Sequence, residues 1–202
     1  VGIQQTTRYP KMMNAYQYAS LYNEAIYNDN PWIGQNAYSQ EQLDSYKNGT
    51  AGTDWWNETM RNSAPQTSHN LSVTGGSEKV KYYMSVGYMG QEGILQSNDW
   101  NYRRYNVRSN ISAEIAKGLT VDLNLSGRYD NRQRPYDAGN IFRSAQMAKP
   151  TYSVYANDNP DYWGATGDMP NPVHVSDSDN SGNEDRMRRE FNSSLSITWE
   201  VP

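Results

Sequence analysis

The sequence predicts a mainly β chain: antiparallel strands of a transmembrane β-barrel, a fragment with about five full strands, carrying helical and long irregular extracellular loops. Three observations lead there. The first is a strict two-residue alternation in three runs between His69 and Tyr129: Val80, Tyr82, Met84, Val86, Tyr88; Tyr105, Val107, Ser109, Ile111, Ala113, Ile115; and Leu119, Val121, Leu123, Leu125, Gly127, Tyr129. Alternation of this period marks strands with two different faces. The intervening residues, Asn106, Arg108, Asn110, Ser112, Glu114 and Thr120, Asp122, Asn124, Ser126, Arg128, form an entirely polar second face. The second observation is a thin apolar content, 36% over 202 residues at a mean hydropathy of −0.97, too little for a well-filled soluble core of this length. Of the aromatics, 17 are Tyr and 6 Trp against 2 Phe, rings with a polar tip that suit a boundary between an apolar zone and a wet one. The third is that the connections alternate long, short, long, short, very long, as in barrels with tight turns at one rim and extended loops at the other.

Taken in order, Val1-Gly2-Ile3 reads as the tail of a strand. Beyond Pro10, apolar residues from Met12 to Tyr27 recur at three- and four-residue steps, a helix that Pro31 closes. Ser39 is placed to cap a second helix over 40–48, ending at Gly49, and Asp54 to cap a short third one through Trp55-Trp56, stopped by Pro65. A short strand from His69 to Thr74 turns at Gly75-Gly76-Ser77 into the Val80 strand, and Ala116-Lys117-Gly118 makes a second tight turn. Between Tyr129 and Phe191 lie about sixty residues with five prolines and a polar tract over 176–185, in which only 142–148 reads as helical. Phe191, Ser193, Leu195, Ile197, Trp199 and Val201 then restore the two-faced pattern. The expected division is a strand end plus helical outer loop over 1–68, strands two to five over 69–129, a long outer loop over 130–190 and strand six over 191–202. A chain that opens on Val1 and runs to its last residues in strand pattern is expected to be cut from something longer.

Several function classes are set aside by composition. A net charge of −4 without a basic stripe argues against nucleic acid as a partner. There is no cysteine, hence neither disulfide framework nor thiolate metal site, and no apolar run long enough for a membrane helix. His69 and His174 are the only histidines, and no phosphate loop, nucleophile elbow or paired-His motif appears, so no enzyme activity and no cofactor are expected.

A family resemblance rests on specific residues. Asn23-Glu24-Ala25 after a Tyr-rich helix, Asp54-Trp55, Ala64-Pro65-Gln66-Thr67, and above all the run from His69 through Gly75-Gly76 to Tyr83 resemble the SusC/RagA family of TonB-linked outer-membrane transporters. Ser85 to Tyr88, Gln91 to Ile94 and Arg104 to Ile111 follow the same pattern in order. The resemblance implies a 22-stranded barrel with an N-terminal plug, of which this chain would be the start of the barrel domain. It further implies residence in the outer membrane of a Gram-negative bacterium, a lipid bilayer against the apolar face, and import of an oligosaccharide or peptide cargo. A SusD-like lipoprotein would be the surface partner, and a TonB complex would act through parts that this chain lacks. The competing reading is a secreted or surface β-rich carbohydrate-binding module, whose apolar face would pack into a sandwich.

The candidate contacts are few. Trp55, Trp56, Tyr152, Tyr155, Tyr162 and Trp163 lie in long loops, where rings stack on sugars, pack on a partner or hold the loop itself together. Arg108, Glu114, Asp122 and Arg128 are candidate lumen lining; the alternative is cross-strand charge pairing within the wall. Tyr82, Tyr88, Tyr105, Tyr129 and Trp199 fall near strand ends on the apolar face, the place of girdle residues. Asp177 to Gly182 opens like a calcium loop, but Arg188 stands where the bidentate carboxylate would be needed, so a solvated loop is the simpler expectation.

Overall fold

A strand whose alternate residues want opposite surroundings pairs so that like faces coincide, and the register does this across the apolar band except for a shift between Glu114 and Ala116 beside the second tight turn. The computed structural model describes residues 1–32, 34–136 and 138–201. Its six strands form one open antiparallel sheet in sequence order: β1 Gly2–Gln5, β2 Ser63–Gly76, β3 Val80–Glu92, β4 Asn101–Ala116, β5 Leu119–Pro135 and β6 Asn183–Trp199. Leu71 lies opposite Val86, Val86 opposite Val107, Ile111 opposite Leu123, and Leu123 opposite Leu195, so one apolar face runs unbroken from β2 to β6. The described residues leave it uncovered: Leu71, Val86, Val107, Phe191, Leu195 and Ile197 are all more than half exposed.

The apolar band has a definite height. From Leu119 to Tyr129, ten residue steps rise about 34 Å along the strand. At the strand tilt usual in closed barrels the same rise projects to about 25 Å along the barrel axis.

Most strands begin earlier or end later than the alternation suggests. β2 starts at Ser63 rather than His69, β6 at Asn183 rather than Phe191, and β5 continues to Pro135. The extensions carry no two-faced pattern because both of their faces are mostly polar, as in Asp130 to Arg134 against Glu184 to Arg188, where Met187 is the one apolar residue. Hydrogen-bonded pairing and charge contacts such as Arg134–Glu184 at 2.6 Å hold them instead of burial. Pro65 does not stop a helix; it sits inside β2 opposite Ile3 of the edge strand β1, near the strand start where a missing N–H is tolerated.

The two rims differ. At one, residues 77–79 and Lys117-Gly118 make the turns; Gly118 has φ +73°, and a Cβ there would stand 2.8 Å from the Glu200 carbonyl oxygen. At the other rim, the first and last loops carry the α-helices: α1 Ala15–Asp29, α2 Gln40–Lys47 and α3 Trp55–Thr59 in the first, α4 Ala138–Met147, α5 Pro172–Ser176 and α6 Ser178–Ser181 in the last. The helix starts follow their sequence signals. Asn14 and Ser39 each close a capping box, with Gln17 and Gln42 respectively, and the Asp54 carboxylate accepts from the Asn57 amide N–H at 3.1 Å. The expectation of one helical segment between strands five and six is corrected on two counts. α4 begins at Ala138, and α5 and α6 fold in and beside the polar tract because Asn171 and Asp177 accept the first free N–H groups of each.

These loops share a core of their own. Met60 from the first loop, Leu95 from the loop between β3 and β4, and Ala138, Ile141 and Ala145 from the last are buried together, with Trp56, Trp100, Phe142 and Val175 around them. The three loops therefore form one cap. It leans toward the polar face of the sheet: Trp100 packs against Phe142 of the cap and takes the guanidinium of Arg132 over its ring at 5.7 Å, and Arg132 shares that face with Tyr102.

Candidate functional site

The features able to meet a ligand or partner lie on the polar face and on the cap above it. On the polar face, Arg108 stands opposite Ser85 and Ser126, and Arg128 opposite Asn106 and Glu190. With Asn192 they line a shallow depression of about 320 Å³ whose walls carry hydroxyl, amide and guanidinium groups. The cross-strand pairing weighed for these charges does not form. Arg128 instead pairs along its own strand with Asp130 at 2.7 Å and donates to the Tyr102 hydroxyl at 3.3 Å. Arg108 reaches Asn110, two residues along its own strand, at 3.4 Å. Asp122 lies between Ser112 and Ser196, and Glu114 accepts from the Gly118 N–H at 3.4 Å at the turn rim. The four residues thus share one face but make no common cluster.

In the cap, the paired tryptophans face inward. Trp55 is 3% exposed, and its indole N–H donates to the Lys149 carbonyl at 2.9 Å, joining the first loop to the last. Trp56 leans on Phe142 with ring centres 6.3 Å apart. Tyr155 and Trp163 face each other at 5.1 Å across a small bridge, and His174 meets the Trp163 ring edge-on at 4.9 Å. Four of the six candidate rings are therefore engaged in holding the loops. Tyr152 and Tyr162 remain at the surface, Tyr162 at 64% exposure. Asp177 to Gly182 is wound into α6, with the Asp177 carboxylate accepting from the Asp179 N–H at 2.8 Å. Among the described residues no group of three or more His, Asp or Glu side chains converges.

A second tyrosine cluster carries no signal in the linear sequence. Tyr18, Tyr22, Tyr38 and Tyr46 follow one another at ring separations of 5.9, 5.9 and 6.1 Å, bridging α1 and α2. Asn23, buried below them, bonds the Tyr38 backbone twice, accepting its N–H at 2.9 Å and donating to its carbonyl at 2.8 Å. Burial pushes the Tyr18 and Tyr46 phenols above their ordinary range, so both rings stay neutral. Beside them Lys149 is held above its usual value by the Tyr152 and Tyr18 hydroxyls, and stays charged. The spacing of these tyrosines matches only a helical apolar stripe; their meeting depends on how the loops fold.

On the apolar face, three of the five expected girdle residues, Tyr88, Tyr105 and Tyr129, form a row, while Tyr82 and Trp199 lie toward the turn rim, Trp199 opposite Leu119. His69 stacks on Tyr88 at 6.3 Å, Tyr88 meets Tyr105 at 5.1 Å, Tyr105 meets Tyr129 at 6.2 Å, and Arg189 lies over Tyr129 at 5.8 Å. The row crosses β2 to β6 at a single level, where the apolar band gives way to the polar extensions. Near the turn rim the Tyr82 ring lies across Gly75, where a Cβ would stand 2.6 Å from the hydroxyl oxygen.

No family model matches the chain. It is 31% identical to the TonB-dependent receptor SusC of Bacteroides thetaiotaomicron over 113 residues, covering 55% of this chain and 11% of that receptor. To the TonB-dependent receptor P3 of Formosa agariphila it is 28% identical over 129 residues, covering 60% of this chain and 13% of the other. Among solved structures, the RagAB peptide importer in its open-open state superposes with a TM-score of 0.63 at 21% identity, over 98% of this chain and 25% of that one. A structure of the RagAB peptide transporter gives 0.58 at 22% identity, over 85% and 22%. The chain spans about a tenth of the length of the curated relatives and about a quarter of the solved chains. Sequence over roughly half its length and fold over most of it thus bear out the resemblance read from the motifs: the chain is similar to the SusC-type TonB-dependent receptors and shares the fold of the corresponding part of RagAB.

Proposed function

We propose that the chain is part of the wall and roof of a TonB-dependent outer-membrane transporter that imports an oligomeric nutrient, glycan or peptide. In this reading the protein resides in the outer membrane of a Gram-negative bacterium. The bilayer meets the apolar face, the tight turns lie on the periplasmic side, and the cap lies outside beneath a SusD-like lipoprotein. A TonB complex supplies the energy through other parts of the protein. The observation that carries the reading is the uncovered apolar face, about 25 Å tall and bounded by the row from His69 to Tyr129. An isolated sandwich module would bury such a face under a second sheet, and an open sheet with bare edges would aggregate. No helix among the described residues is long and apolar enough to cross a membrane, so any crossing they make is by strands.

Spin labels placed singly at Val86, Ile111 and Leu123 of the full-length protein in liposomes test the assignment. The expected result is relaxation by lipid-dissolved oxygen and protection from a water-soluble nickel chelate, with labels at Asn110 and Asn124 showing the reverse. Water access at the first three positions would overturn it.

A further inference from the structure

The part of the polar face nearest the cap holds more positive charge than it neutralises, in a chain whose net charge is −4. By register, Arg104 and Arg108 of β4, Arg128, Arg132 and Arg134 of β5, and Arg186 and Arg188 of β6 all stand on it. The carboxylates of the same stretch are already taken: Asp130 pairs with Arg128 at 2.7 Å, Glu184 with Arg134 at 2.6 Å, and Glu190 with Arg188. Among the described residues, Arg104, Arg108, Arg132 and Arg186 form no ion pair.

Two of these four face each other. Arg132 of β5 lies directly opposite Arg186 of β6, and like charges so placed across a strand pair repel and cost stability. One step nearer the cap, the same two strands set Arg134 against Glu184, so the ladder itself does not impose the repulsion. Arg132 lies over the Trp100 ring at 5.7 Å, which positions the guanidinium without neutralising it. Arg104, one row lower on the neighbouring strand, buries an Nε–H that has no acceptor among the described residues. Just below, the depression lined by Arg108 and Arg128 opens on the same face.

A planar guanidinium presents paired N–H groups that match two oxygens of a carboxylate, sulfate or phosphate. An oxyanion lying between Arg132 and Arg186 would turn their repulsion into attraction and supply the acceptor that Arg104 lacks. We infer that Arg104, Arg132 and Arg186 form an oxyanion site beneath the cap, which takes the charged groups of an anionic cargo. The site reads the charge of the cargo and is indifferent to the backbone that carries it. The inference rests on the transporter reading and adds a charge preference to it.

The test uses the full-length protein in micelles, free of other reactive cysteines, with Met89→Cys, opposite Arg104, or Asn124→Cys, lower on the same face. Each is reacted with a sulfonate-bearing and a trimethylammonium-bearing methanethiosulfonate. The anion-to-cation rate ratio at Met89→Cys is expected to be about tenfold that at Asn124→Cys, the enrichment that a focused positive potential produces. Sodium sulfate is expected to slow the anionic reagent there more than sodium chloride of equal ionic strength. Arg104→Gln/Arg132→Gln/Arg186→Gln should abolish the sulfate effect and bring the ratio close to that of the control. The matching triple Lys variant should keep the ratio and weaken the sulfate effect, because the charge stays and the fork is lost. Equal ratios at the two positions, equal slowing by the two salts, or an unchanged ratio in the Gln variant would each overturn the site. So would a Met89→Cys thiol closed to both reagents, which would mean that another part of the protein covers the arginines. If the site fails while labels at Val86 and Ile111 still report lipid, it falls alone; if those labels report water, the transporter reading falls and the site with it.

Discussion

At the scale of single residues, the turn at Gly118 shows how little freedom the tight rim has. Its φ of +73° is a left-handed conformation, and the Glu200 carbonyl oxygen leaves no room for a Cβ. Gly118→Ala is therefore expected to destabilise the wall by about 1–2 kcal/mol from backbone conformation alone, with the close approach adding to it. The check is a lowered unfolding temperature of the full-length protein in micelles, with Lys117→Ala as the neutral comparison. This requirement is readable in the sequence, because Ala116-Lys117-Gly118 interrupts two alternating runs. The role of Trp55 is not. Its indole N–H is satisfied by the Lys149 carbonyl, 94 positions away, and no local pattern announces such a partner.

At the scale of elements, the two-faced strands are legible wherever their two environments differ, and illegible where both faces are wet. The alternating runs predict β3, β4 and the lower part of β5 and β6; the extensions from Asp130 to Arg134 and from Asn183 to Glu190 look like loop until the pairing is seen. The helix caps illustrate the same point from the other side. Those at Ser39 and Asp54 are local and readable, whereas α5 and α6 are too short to carry a periodicity. The girdle row makes an element-level prediction. Tyr105 sits between Tyr88 and Tyr129, so Tyr105→Ala removes two ring contacts at once. A loss of about 1–3 kcal/mol is expected from contacts of this kind, read as a lower unfolding temperature, while Tyr162→Ala in the exposed loop leaves it unchanged.

At the scale of the whole molecule, the principal packed core lies in the cap rather than in the sheet. Met60, Leu95 and Ile141 come from three different loops, so the cap is a single cooperative unit. Ile141→Ala, expected to cost about 2–5 kcal/mol in that core, should expose the first loop, residues 6–62, to protease as readily as the last; nicking confined to the last loop would show that the loops open independently. No sequence pattern points to this core, because each loop contributes only one to three of its buried residues. The same feature has a kinetic side. The outer members of the core stand about eighty residues apart along the chain, and only the pairing of β2 through β5 brings them near one another. Long-range contacts of this kind wait on the closure of the loops between them. The roof is thus expected to pack only after the strands that bring its three loops together have paired.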